Sequence, residues 1–514
     1  MAERNGQRPY DYELVSQNIN NSENIITSGG GGIENSSNTN LHRQQNTSQT
    51  YVMESGSKAR QYIAAGTGNL IAFSAGCVLT WTSPCLPKLY DNWETDSPLD
   101  RQITLTEKSW ISSLLALAAA FGPIIAGYLA DRIGRKIVLL GAAIPFIVGW
   151  VLMATTTTVA QILIARFLWG LSVGAVFTVL PMYIGEIADD DVRGALGSFM
   201  QLFITFGILW AYAVGAYTSF KVFSYLSVAI PIAFCVFFFF MPESPYYLLG
   251  KDKRNEATEA LMFLRSKSND GVQKELEQMK CNVDETKKQS GTIKDLFATA
   301  SSKKALILSC GLVGFQQFSG INAVLFFCGT IFKESGSTVD PDINAIIIGC
   351  VQIGSSAVTP LVVDRLGRRM LLLISGVGMA VGLFLLGGCF NAKDRWDVEL
   401  TGFLAQLPVI SLVLYMIVYC IGFGPLPWAV MGELFSANIK SLASTATASF
   451  CWILGFFITQ YFEQISTALG SDTSFWFFAA CCVLATAFVF ILLPETKGKS
   501  LEEIQEILGG NAKK

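Results

Sequence analysis

The chain has 514 residues, 51% of them hydrophobic and only 15% charged, with a mean hydropathy of +0.43. Soluble domains carry roughly 25% charged residues, so this composition excludes an ordinary water-soluble fold and points to lipid as the main solvent. A net charge of −3 argues against a nucleic-acid binder, and the spacing of the 12 cysteines fits neither a zinc site nor a small disulfide framework.

Residues 1–60 are rich in Asn, Ser, Gln and Gly and contain the single histidine, His42. Such a segment buries too little apolar surface to offset its ordering entropy, and reads as a disordered tail. It lacks the apolar core of a signal peptide. Asn20, Asn35 and Asn46 match the N-glycosylation pattern, but the topology below places them in the cytosol.

A membrane-spanning helix needs about 20 mostly apolar residues. Twelve such stretches follow, near 63–85, 109–130, 137–156, 159–184, 195–217, 221–241, 304–330, 341–363, 370–390, 402–430, 442–465 and 473–493. The fold class is therefore all-α, with twelve transmembrane helices in two six-helix, pseudo-symmetric halves. The halves are expected at 61–241 and 304–493, joined by a polar cytoplasmic helical linker over 242–303 and followed by a short tail over 494–514.

Three paired motifs support the two-half division. Asp131-Arg132-Ile133-Gly134-Arg135-Lys136 recurs as Asp364-Arg365-Leu366-Gly367-Arg368-Arg369, each between two apolar runs. Gly185-Glu186 followed by Arg193 matches Gly432-Glu433 followed by Lys440, and Pro242-Glu243-Ser244 matches Pro494-Glu495-Thr496. Parallel repeats of this kind occur in a large class of transporters. The basic turns face the cytosol by the positive-inside rule, whereas the 86–108 loop carries Asp91, Glu94, Asp96 and Asp100 and faces outside. An even number of spans puts both termini in the cytosol.

Five stretches carry a family resemblance: the paired Asp-Arg-x-Gly-Arg turns; Arg166-Phe167-Leu168-Trp169-Gly170; Pro242-Glu243-Ser244-Pro245; Gln316-Gln317-Phe318-Ser319-Gly320-Ile321-Asn322; and Gly424-Pro425-Leu426-Pro427-Trp428 with Pro494-Glu495-Thr496-Lys497-Gly498. Over about residues 60–508 the chain resembles the sugar porters of the major facilitator superfamily. Its Trp81-Thr82-Ser83-Pro84 is similar to that of insect facilitated trehalose and hexose transporters.

A sugar is neutral and covered in hydroxyls, each of which must exchange water for protein hydrogen bonds. Amide side chains both donate and accept, so they suit the task. The spans supply Gln201, Gln316, Gln317, Asn322 and Gln352, with Trp428 as an aromatic face. The resemblance implies sugar contact at these positions. The bland alternative is that each amide bonds only to a neighbouring helix. The chain departs from the family pattern at Phe326 and Phe327, where tyrosines are frequent, at Cys451, where Asn is frequent, and at Cys420, often polar or acidic.

A proton-coupled porter needs a titratable group in its path. The resemblance places that group in the first helix, opposite Arg166, but Thr82 stands there and no acid occurs from Tyr62 to Leu86. This favours facilitated diffusion over proton symport, and a structural role for Arg166. A short C-terminal end argues against a non-transporting sugar receptor. No covalent chemistry, cofactor or metal is expected; the partners are a small sugar and the bilayer, with no nucleic acid. The expected location is the plasma membrane, as a multi-pass protein.

At the cytoplasmic end, Asp131 and Asp364 are expected to cap a helix or to pair with arginine of the neighbouring bundle. Arg132, Arg135, Glu186, Arg193, Glu243, Arg365, Arg368, Glu433, Lys440 and Glu495 complete an expected latch that joins the halves in the outward-facing state. Ordinary loop charge is the alternative, and it accounts for Arg135, Lys136 and Arg369. Lys440 stands where the family usually has Arg, so a bidentate pair is lost. Gly424, Pro425 and Pro427, after Gly422, break the tenth span and are expected to act as a hinge; a static kink is the alternative.

Overall fold

The computed structural model describes residues 56–189, 191–288, 293–335, 339–398, 402–436, 439–499 and 501–509. The predicted tail, with His42 and the three glycosylation motifs, lies outside the described residues apart from its last few positions. Among the described residues there are helices and turns and no strand.

Twelve helices are long and apolar enough to cross a membrane: α1 (Ala59–Tyr90), α2 (Leu105–Ile133), α3 (Arg135–Ala154), α4 (Val159–Ile187), α5 (Arg193–Tyr217), α6 (Phe220–Phe238), α7 (Ala300–Phe326), α8 (Pro341–Val363), α9 (Arg368–Asp394), α10 (Leu404–Leu434), α11 (Lys440–Leu469) and α12 (Ser471–Leu492). They coincide with the twelve expected stretches, five of them running three or more residues longer. Short polar caps start them. Thr104 and Glu107 form a capping box on α2, Thr158 and Gln161 one on α4, and the Asp340 carboxylate accepts from the first turn of α8, where Pro341 supplies the preset φ.

The repeated turns are built alike. Gly134 and Gly367 take φ of +105° and +86°, a region that favours glycine. A Cβ at either would also strike a carboxylate, Glu243 at 2.2 Å or Glu495 at 2.8 Å. These two carboxylates close the N-termini of α3 and α9. Glu243 accepts from the backbone N–H of Arg135 and Lys136, and Glu495 from those of Arg368 and Arg369. Asp131 does not take the capping role; it pairs with Arg135 one turn on, at 3.3 Å. The reason is reach: Glu243 and Glu495 point at the N–H groups along the helix axis, whereas Asp131 ends the preceding helix. The side chain of Asp364 is outside the described residues.

Four spans are interrupted. α1 breaks at Trp81, just before Pro84, α2 near Ala120–Phe121, α7 at Gly320 with φ +81°, and α10 between Ile421 and Leu426. Residues such as Ile124, Ile144, Leu361, Phe384 and Phe490 are exposed on the outer surface, where lipid is their natural solvent. Inside, Trp81 meets Trp169 edge to face, and Trp150 packs tilted against Trp169 with ring centres 4.4 Å apart.

Between α6 and α7, helices Arg254–Arg265 and Asn269–Lys288 bury Leu248, Leu261, Val272 and Leu276 in a small core of their own. Arg265 ties this core to the first six spans by donating to Ile187 O at 2.8 Å. The helix Leu501–Gly509 is tied to the last six, with Gln505 donating to Leu434 O at 2.6 Å.

Candidate functional site

The interruptions of α7 and α10 meet in the second half of the chain. Pro427 has no N–H, so Phe423 O has no partner one turn on within α10. A buried carbonyl left so is costly. Gln316 fills the gap: its Nε2 donates to Phe423 O at 2.6 Å and to Gly424 O at 2.8 Å. The amide nitrogen is thus committed to the helix break, which is the bland alternative for this one position.

Gln317 and Asn322 are joined across the α7 interruption, Asn322 Nδ2 donating to Gln317 Oε1 at 2.6 Å. Gln317 Nε2 in turn meets Cys451 Sγ on α11 at 3.0 Å. The cysteine that stands in place of a frequent asparagine therefore still receives the amide, but as a weak acceptor. Gly455, one turn further along α11, leaves this pair its space: a Cβ there would lie 2.9 Å from Asn322 Nδ2. Gln352 on α8 is buried, and its Nε2 has no hydrogen-bond partner among the described residues. Gln201 on α5 and Trp428 on α10 are half-buried. Gln316, Gln317 and Asn322 therefore form one connected cluster, and no bond among the described residues joins Gln201, Gln352 or Trp428 to it.

Arg166 is fully buried in the first half. Its guanidinium donates to Val78 O, Ile111 O and Ser112 O at 2.7–3.1 Å and lies over the rings of Trp81 and Phe326. Three carbonyls and two aromatic faces take the place of a carboxylate, and they pin α1, α2 and α4 together.

The repeated turns define one end of the molecule, here the turn end. Two of the expected latch arginines form ion pairs there with a glutamate of the same six spans. Arg135 binds Glu186 at 3.0 Å and Arg368 binds Glu433 at 3.1 Å. For Arg135 this corrects the alternative of plain loop charge. Arg132 and Arg365 are exposed, and their carbonyls accept from Tyr247 and Lys497. Arg193 donates to Ala188 O at 3.4 Å, and Lys440 is exposed beside Gly432. One oxygen each of Glu186 and Glu433, Oε2, is buried without a hydrogen-bond partner among the described residues. Burial alone would push the Glu495 carboxyl up, but the N–H groups of Lys497, Arg368, Arg369 and Thr496 outweigh it and hold the carboxyl below its ordinary value.

At the opposite end the bonds cross between the first six and last six spans. Lys108 on α2 forms an ion pair with Glu463 on α11, their side chains only 7% and 16% exposed. Ser113 Oγ donates to Gln460 Oε1 at 2.5 Å, Tyr212 OH to Leu325 O at 2.9 Å, and Gly329 N to Ser83 Oγ at 3.0 Å. Lys333 and Asp91 pair at 2.8 Å. None of these crossing residues is among the expected site residues. The signal was present: Glu463 is a charge inside an apolar run, and such charges face partners within the bundle.

A family model described as "Sugar (and other) transporter" matches residues 33–508. The chain belongs to this sugar transporter family. Relatives include a facilitated trehalose transporter of Apis mellifera ligustica, 37% identical with 88% of each chain covered. A facilitated trehalose transporter homologue of Drosophila simulans is 37% identical, with 88% of this chain and 91% of that one covered. Among solved structures, a proton:xylose symporter of the major facilitator superfamily, XylE, superposes with a TM-score of 0.71 at 23% identity, over 88% of this chain and 99% of that chain. This sugar transporter is thus a multi-pass membrane protein of the major facilitator fold.

Proposed function

We propose that this protein is a facilitative sugar transporter that works by alternating access, carrying a hexose such as glucose or the disaccharide trehalose. The sugar sits between two six-helix halves, spanning about 61–241 and 304–493, against Gln201, Gln317, Asn322, Gln352 and Trp428, with Gln316 holding the neighbouring helix break. The observation that carries this reading is the Gln317–Asn322 pair, a buried, linked amide cluster beside an interrupted helix. The names of the trehalose-transporting relatives support the substrate class. Passive transport is supported by Arg166, whose guanidinium is met by carbonyls and rings, and by an α1 without an acid from Tyr62 to Leu86.

The halves rock about the sugar, with Gly424, Pro425 and Pro427 as the hinge. The turn end faces the cytosol, as do both termini, and the protein resides in the plasma membrane. The acids and bases at the turn end form a latch that joins the halves when the opposite end opens; the partnerless oxygens of Glu186 and Glu433 support this. The test is counterflow in proteoliposomes against glucose, fructose and trehalose. Flux should persist with a protonophore present, and Gln317→Ala should abolish most of it. Accumulation above equilibrium that collapses with the proton gradient would establish symport, and absence of flux would establish a receptor.

A further inference from the structure

Hydroxyls inside the helices of this protein commonly return to the carbonyl one turn back. Ser112, Thr178, Ser224, Thr359 and Thr459 each do so at 2.8–2.9 Å. Thr82, Ser309 and Thr447 do not, and neither do Ser356 on α8 and Ser449 on α11. The last two are residues only 6% and 8% exposed, and neither Oγ has a hydrogen-bond partner among the described residues. The Cys420 thiol lies beside Ser356, but a thiol is a weak partner.

Each serine shares a helix face with another buried, partnerless donor. Gln352 Nε2 precedes Ser356 by four residues, and Trp452 Nε1 follows Ser449 by three. Both faces look toward the first half. On α8, Gly349 lies against Leu209 of α5, 3.0 Å from where its Cβ would stand. On α11, Trp452 meets Phe177 of α4 edge-on at 5.6 Å, and Thr445 lies 3.8 Å from the Cβ position of Gly127 on α2.

The two serines also occupy one level. α8 runs toward the turn end, so Ser356 lies roughly 6 Å nearer that end than Gln352. α11 runs away from it, so Ser449 lies roughly 4.5 Å nearer that end than Trp452. Counted from the helix ends at the turns, Gln352 and Trp452 lie roughly 17–18 Å from the turn end and the two serines roughly 11–14 Å. Gln317 meets Cys451, next to Trp452, so the serines mark a second layer about one ring nearer the turn end than the amides. Buried hydroxyls without partners are expensive, and a second layer of them at that spacing fits a second ring.

We propose that Ser356 and Ser449 form a second-ring subsite, in which their hydroxyls bond the second glucosyl unit of a disaccharide whose first ring occupies the amide layer. This rests on the sugar-transport reading above. It makes the two serines determinants of disaccharide over hexose.

The test uses the full chain in proteoliposomes, with trehalose and glucose counterflow measured on Ser356→Ala, Ser449→Ala and the pair. Loss of one hydrogen bond should raise the trehalose KM about five- to tenfold in each single variant while glucose KM moves less than about twofold. Ser356→Thr, which keeps the hydroxyl, should retain trehalose transport. Glucose flux in the same vesicles reports folding; if the pair does not reconstitute, Ser356→Cys, close in volume and weak as a donor, carries the same expectation. Equal loss for both sugars, or no change for trehalose, overturns the subsite. A wild-type protein that moves glucose but not trehalose overturns it alone, and one that moves neither removes the sugar-transport reading as well.

Discussion

At the end opposite the repeated turns, Lys108 reaches from α2 to Glu463 on α11, in the other half of the chain; at the turn end, Arg135 and Arg368 reach to Glu186 and Glu433 within their own halves. The same kinds of side chain therefore do different work. Ion pairs within a half, backed by the Glu243 and Glu495 caps, hold each bundle's shape at the turn end. Bonds between halves hold one end shut. The proposed rocking needs both: rigid bodies, and contacts between them that can break.

The largest effect should come from the crossing pair. Lys108→Ala leaves the Glu463 carboxylate without its partner in a largely buried setting, a cost of roughly 3 kcal/mol. Opening that end relieves the cost, so the equilibrium should move toward the open arrangement by about a hundredfold. Hydrogen exchange at the Gly329 amide, which donates across the halves to Ser83, should accelerate accordingly. Lys108→Glu combined with Glu463→Lys should recover part of the protection. Unchanged exchange in Lys108→Ala would mean that the pair does not hold the halves.

Next come the caps. Glu243→Gln and Glu495→Gln each weaken charge-assisted bonds to a helix N-terminus, costing about 1 kcal/mol apiece in thermal unfolding of the detergent-solubilised protein. Since the two sites lie in separate halves, the losses should add, and the Gly329 amide should exchange as before. Strong non-additivity, or faster exchange at Gly329, would show that the turn end also couples the halves in this arrangement.

Acid supplies a subtler probe. Glu334 is exposed to solvent along part of its side chain, yet partial desolvation raises its carboxyl above the ordinary value; Lys108 and Lys393 oppose the rise, and Glu463 and Asp394 add to it. A carboxyl with a higher pKa in the closed arrangement binds its proton more tightly there. Falling pH, from neutrality down through that raised value, should therefore favour closure, and the benefit should be complete only once the group is protonated. Protection of the Gly329 amide, corrected for intrinsic exchange, should rise over that window, and Glu334→Gln should flatten the dependence. A profile unchanged in Glu334→Gln would assign the titration to another group.

The sequence made the spans legible because lipid demands long apolar runs, and made the turns legible because glycine, capping acid and basic residues recur together. The Gln317–Asn322 pair was legible from its motif. Gln316 shows where such reading stops: the Phe423 carbonyl that it bonds is freed by Pro427, about a hundred residues away, and only the folded packing brings them together. The capping role went to Glu243 and Glu495 rather than Asp131 for a similar reason, since approach from another helix is not written in local spacing. The crossing bonds and the partnerless serines depend on which helix faces face each other, a property of the assembled bundle.

The smallest expected effect tests the latch at the turn end. Glu433 spends one oxygen on Arg368 and leaves the other without a partner among the described residues, and Lys440 lies beside it next to Gly432. A lysine offers a point charge, whereas arginine offers a fork that can engage carboxylates on both halves. Lys440→Arg should therefore strengthen the closed turn end, by less than about 1 kcal/mol because the site is exposed. In the proposed alternating-access cycle closing that end opens the other, so Gly329 exchange should rise about two- to threefold while the unfolding temperature barely moves. If instead the unfolding temperature rises and Gly329 keeps its protection, residue 440 braces only its own half, and the two ends differ more sharply than a shared latch allows.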